Sequence, residues 1–102
     1  MATTRYEVLA SIETPECSLR LLRVTQGKAV DMHFHRNTTQ IYFACEGTAQ
    51  ATVGDTTKTL KPHESIRVPK GVLHSLTSQG EAVVLSVSVP PLQLEDQHAV
   101  SH

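Results

Sequence analysis

No stretch of ten or more residues in this chain repeats its apolar positions with the 3.6-residue period of a helix. Short runs rich in branched and apolar residues take its place, separated by turn signals. Ser18 to Gln26, Val30 to His35, Gln40 to Glu46, Thr48 to Val53, Thr56 to Leu60, Ser65 to Val68, His74 to Thr77 and Ala82 to Val89 read as eight strands. Gly54 and Asp55 stand where a two-residue hairpin turn belongs, and Pro90-Pro91 ends the last strand because proline has no ladder donor. Eight closely spaced short strands imply an all-β antiparallel sandwich or barrel.

At 102 residues the chain fits one domain with one core. A net charge of −1, with the charges scattered, supplies no basic field for nucleic acid. No apolar run is long enough to span a bilayer, and MATTRYEVLASIE lacks the cationic start and apolar stretch of a secretion signal. The expectation is a cytoplasmic protein with neither nucleic acid nor membrane as partner. Cys17 and Cys45 lie far apart and in no C-x-x-C arrangement, which reads as two buried free thiols. Residues 92–102, LQLEDQHAVSH, form a polar tail expected to be mobile, with Leu92 and Leu94 the candidates for docking and His98 and His102 in solvent.

His33 and His35 are one residue apart, and in a strand such a pair projects from one face toward a common point. That is a metal-ligand spacing, because a neutral imidazole offers a lone pair to zinc, nickel, copper or iron near physiological pH. Two histidines at this spacing also occur as ordinary core residues. The surrounding residues favour the metal: Gly27, His33, His35, Gln40 and Gly47 read G-x5-H-x-H-x4-Q-x6-G, and Pro69, Gly71 and His74 read P-x-G-x2-H. These resemble the two signature motifs of the cupin superfamily, G-x5-H-x-H-x3,4-E-x6-G and G-x5-P-x-G-x2-H-x3-N. Here the first spans 27–47 and the second 63–78 of a single domain covering 1–102. The chain departs from the family at three positions, with Gln40 for the usual Glu, His63 for the opening Gly and Ser78 for the closing Asn.

The resemblance implies a single-domain jelly-roll β-barrel, the double-stranded β-helix, holding one divalent transition metal ion (zinc, nickel, manganese, iron or cobalt) on His33, His35, Gln40 and His74. A glutamine ligand contributes no charge, so the ion keeps its full pull on a substrate oxygen, while the amide nitrogen is left as a donor in need of a partner. The implied activity is Lewis-acid chemistry of isomerase, lyase or cyclase type on a small oxygenated carbonyl or sugar-acid compound. A metal-dependent dioxygenase and a non-enzymatic small-molecule binder are the alternatives. Cupins that open unsaturated uronate rings carry an Asp and a Phe on the last strand and an Arg after it, whereas Ser86, Ser88 and Leu92 stand here. Gln40, Tyr42 and His63 are therefore the candidate catalytic residues, His63 only if it reaches the mouth of the barrel.

Alternation assigns faces to the strands. With Gln40 pointing in, Tyr42 and Ala44 follow it and Ile41, Phe43 and Cys45 point out; Ser86 and Ser88 are placed toward the cavity, the alternative being that they face solvent on an edge strand. The outward side is too apolar for water. Either the N-terminal segment or the same sheet of a second subunit must cover it, and a homodimer is the expectation.

Overall fold

The computed structural model describes residues 6–26 and 29–99. Gly27, which opens the first motif, His102 and the side chain of Leu94 lie outside what is described. Ten strands follow in order among the described residues: β1 (Tyr6–Glu13), β2 (Ser18–Thr25), β3 (Ala29–Phe34), β4 (Thr39–Gly47), β5 (Ala49–Val53), β6 (Thr56–Leu60), β7 (Ser65–Val68), β8 (His74–Thr77), β9 (Glu81–Val89) and β10 (His98–Ala99), with a 3-10 turn, Leu94–Asp96, before the last. All eight expected strands are present. Two were not anticipated, β1 and β10.

The strands form two five-stranded antiparallel sheets, one in the order β1-β2-β9-β4-β7 and the other β10-β3-β8-β5-β6. The chain passes back and forth between the two sheets, which is the double-stranded β-helix. Alternation decides what lies between the sheets: Leu22 and Val24 of β2, Tyr42 and Ala44 of β4, Ala49 and Ala51 of β5, and Ala82 and Val84 of β9 are buried, with Val30, Leu60, Val68 and Leu76 beside them. Each large apolar side chain removed from water in this way stabilises the fold by roughly 1.5–3 kcal/mol. Ile41, Phe43 and Cys45 point outward as expected, and Ser86 and Ser88 point inward. Both cysteines are free and half-buried, less enclosed than expected.

The turns carry the punctuation seen in the sequence. Gly54 takes φ 60° in the β5–β6 hairpin and His63 takes φ 76°, the left-handed position that the family pattern gives to glycine. Ser78, standing for the usual Asn, donates to the Thr48 carbonyl at 3.0 Å and accepts the Gly80 N–H at 3.3 Å, so its turn is closed by a hydroxyl instead of an amide. The end of the chain, expected to be mobile, returns to the barrel: β10 pairs with β3, setting His98 opposite Phe34 in stacked contact at 5.0 Å.

Gly47, the last residue of the first motif, has φ 68°, and a Cβ there would run into the Glu81 carbonyl across the β4–β9 pair. Gly47→Ala therefore combines backbone strain with overpacking and is expected to cost about 3 kcal/mol. A urea titration showing a loss below about 1 kcal/mol, the scale of an ordinary surface change, would contradict this reading.

Candidate metal centre

His33 and His74 are direct partners across the β3–β8 pair, and His35 follows β3 by one residue. The facing sheet supplies Gln40 from β4, opposite Ser88 of β9. The three imidazoles are buried and converge, with centroids 4.8 Å apart for His33 and His35, 4.2 Å for His33 and His74, and 5.2 Å for His35 and His74. One nitrogen from each lies within 4.8 Å of the others, so these three residues could hold a metal ion.

What orients the rings is their other nitrogen. Nδ1 of His33 lies 2.6 Å from the Asp31 carbonyl, Nδ1 of His35 3.0 Å from that of Asp96, and Nδ1 of His74 2.9 Å from that of Val72. A carbonyl only accepts, so each Nδ1 must donate, and in a neutral ring this leaves Nε2 with the lone pair. Burial is the first cause holding all three rings below the ordinary imidazole value, with the neighbouring rings adding to it for His33 and His74; His74 is held down to about 4. The rings are thus neutral and ready to donate electron pairs at physiological pH.

Two features of the inner ends fit a cation. Nε2 of His35 is buried with no hydrogen-bond partner among the described residues. Nε2 of His74 faces Oε1 of Gln40 at 3.0 Å, and with the proton on Nδ1 these are two acceptors turned toward each other. The amide nitrogen of Gln40 meets the requirement anticipated for it, donating to Ser88 Oγ at 2.9 Å.

The remaining candidates separate. Tyr42, 2 % exposed, lines the same cavity, and its ring is 6.1 Å from His74. Burial raises its phenol above the usual tyrosine value, so it keeps its proton and can donate but not abstract. His63 is not brought to the cluster: its ring stacks at 6.3 Å on Phe43, on the outer face of β4, with the sheet between it and the histidines. The condition set for a catalytic role of His63, that it reach the mouth, is not met on this side of the sheet, because Phe43 and Tyr42 point to opposite sides of one strand.

The sequence reading missed Asp96. Its carbonyl orients His35, its carboxylate accepts the N–H groups of Arg36 and Asn37, both at 2.9 Å, and His98 lies 3.3 Å from it. Burial opposes its ionisation, but these partners together hold the carboxyl below the usual value. An aspartate at the end of the 3-10 turn carries no sequence signal of this role, since His35, Arg36 and Asn37 are 59 to 61 residues away.

The depressed imidazoles have a consequence for stability. An unfolded chain takes up protons on these histidines near pH 6.5, whereas the folded one resists down to about 4 at His74. Stability of the metal-free protein should be fully present above pH 6.5 and decline as the pH falls toward 4. Urea midpoints measured in chelator across that window check this, and a flat profile contradicts it.

Residues 20–89 match the family model described as Cupin domain. Among solved structures, a Thermus thermophilus protein superposes with a TM-score of 0.80 at 23% identity, covering 86% of each chain. KdgF from Halomonas sp. gives 0.73 at 17% identity, over 83% of this chain and 78% of that one. A curated relative, mannose-1-phosphate guanylyltransferase of Sinorhizobium fredii, is 30% identical over 71 residues, 70% of this chain and 14% of the relative. The chain thus spans only a small part of that enzyme's length. Among the described residues no helix is long and apolar enough to cross a membrane. With the family match covering most of the chain, strands of both sheets and the three histidines, the chain belongs to the cupin family.

Proposed function

We propose that the protein is a metal-dependent cupin in which one divalent transition metal ion is held by Nε2 of His33, His35 and His74 together with Oε1 of Gln40. The observation that carries this reading is the buried Nε2 of His35, which has no partner among the described residues although its ring is locked from the other side. A buried polar atom left alone costs about 1–3 kcal/mol, and a cation at the convergence point removes that cost. When bound, the ion supplies Lewis-acid polarisation of a substrate oxygen.

The chain's own residues give the cavity its remaining chemistry. Ser88 fixes the Gln40 amide, and Tyr42 offers a phenolic proton to a substrate oxygen. No carboxylate lines the cavity among the described residues, so these side chains orient and donate rather than abstract protons. The space enclosed beside the histidines is about 20 Å³, room for an ion or one water, so a small oxygenated carbonyl or sugar-acid compound would reach the ion from the open side. The sugar phosphate in the curated relative's name supports a sugar-derived substrate. Isomerase, lyase or cyclase chemistry is the reading this favours.

Elemental analysis after dialysis should give about one ion per wild-type chain and at least tenfold weaker retention for His35→Ala or His74→Ala, as lost ligands remove both bonds and geometry. Gln40→Glu adds a negative ligand and should tighten the metal, whereas Gln40→Ala should loosen it. Equal affinity in wild type and both Gln40 variants would reduce the ligand set to three histidines.

A second copy of the chain is the proposed partner on the outer face. The described N-terminal residues do not cover this face, since β1 pairs edge-on with β2 and extends the sheet. Two apolar rows cross four strands, Ile12–Leu19–Val87–Ile41 and Ala10–Leu21–Leu85–Phe43, with Ile12 60 % and Ile41 40 % exposed. Four strands of eight or nine residues present a face on the order of 500 Å², approaching the roughly 800 Å² that each partner buries in a stable interface. Light scattering should report about twice the chain mass at micromolar concentration, and Phe43→Glu should shift it toward the monomer. A monomeric wild type ends this proposal.

A further inference from the structure

The cavity beside the histidines contains one charged side chain that no motif singles out. On β2, Ser18, Leu22 and Val24 are buried between the sheets, and Arg20 occupies the same inward phase. It stands opposite Ser86 of β9, which in turn stands opposite Tyr42 of β4, so the three form one row across the sheet. Ser18, Ser88 and Gln40 form the adjacent row. Arg20 lines the hollow together with His33, His35, Gln40, Tyr42 and Ser86, and is the only charged side chain among the described residues that does so.

Its surroundings leave the charge unanswered. Arg23, on the outward phase of the same strand, takes both Glu7 at 3.1 Å and Glu81 at 3.3 Å. Among the described residues Arg20 makes no ion pair, not even with Glu13, which borders the neighbouring surface hollow that Arg20 and Leu92 also line. Three imidazoles and an amide bring no negative charge to the cavity. A guanidinium presents a rigid fork of N–H donors matched to planar or tetrahedral oxyanions.

We propose that Arg20 is the anion-recognition residue of this cavity and that its ligand is a small oxygenated acid, with the acid group on the guanidinium and a second oxygen toward the histidine cluster. The second contact rests on the metal reading above; the first does not. Same-face residues of adjacent rows lie about 7 Å apart along a strand, so the ligand places its acid group and its second oxygen a few carbons from each other.

Calorimetry on nickel-loaded protein tests this with D-gluconate, its uncharged counterpart D-glucitol, and inorganic phosphate. Gluconate should bind and glucitol should not, and phosphate binding at least tenfold more tightly than gluconate would identify the acid group as phosphate rather than carboxylate. Arg20→Ala should weaken the preferred anion at least tenfold while keeping its nickel, and Arg20→Lys, which retains the charge without the fork, should fall between. Unchanged anion affinity in Arg20→Ala at equal nickel content overturns the proposal, as does a wild type that binds neither anion. Should the wild type take up no nickel, the metal reading fails separately. The same phosphate titration on metal-free protein then decides, a loss in Arg20→Ala supporting the role of Arg20 and no change overturning it.

Discussion

Three hydrogen bonds from imidazole Nδ1 atoms to backbone carbonyls govern the open end of this barrel. Two are local, each histidine reaching the carbonyl two residues before it: Asp31 for His33 and Val72 for His74. His35 lies beyond the end of β3 and takes its partner from Asp96, 61 residues further on. Local backbone therefore orients two rings, and the third depends on the chain coming back. The carboxylate of Asp96 and the β3–β10 pair secure that return. A segment with the composition of a mobile tail is in this way part of the site.

Charge separates this site from one built with a carboxylate ligand. All four inner groups, three imidazoles and the Gln40 amide, are neutral, and burial keeps the rings so by disfavouring their protonated form. The same burial keeps the proton on Tyr42. A cavity of neutral donors in a low-dielectric surround resists protons and leaves lone pairs available to a cation, and Arg20 lines it without an ion pair among the described residues.

The two faces of β4 serve different ends because successive side chains cannot share a side. Gln40 and Tyr42 face the histidines, whereas Ile41 and Phe43 continue apolar rows over the outer surface, where His63 stacks on Phe43. An exchange at Phe43 and one at Tyr42, neighbours in the chain, therefore act on the outer surface and on the cavity respectively. The outer face remains apolar even though β1 extends the sheet, since an edge strand adds width without adding cover.

Much of this was legible in the residues themselves. The spacing of His33 and His35, the hairpin glycine at 54, the inward phase of Gln40, Tyr42, Ser86 and Ser88 and the all-β class all follow from period-two alternation and turn chemistry, which are properties of local backbone. β1 escaped notice because nearly all of it is exposed, so burial imposes no alternation on its sequence. Only the assembled barrel decided the rest. Register, not composition, set His33 against His74 and Arg20 against Ser86, and carried His63 to the far side of the sheet. Asp96 meets His35 because chain closure brings together groups that no local period relates. Alternation is written into neighbouring residues; which strands become neighbours is a property of the folded whole.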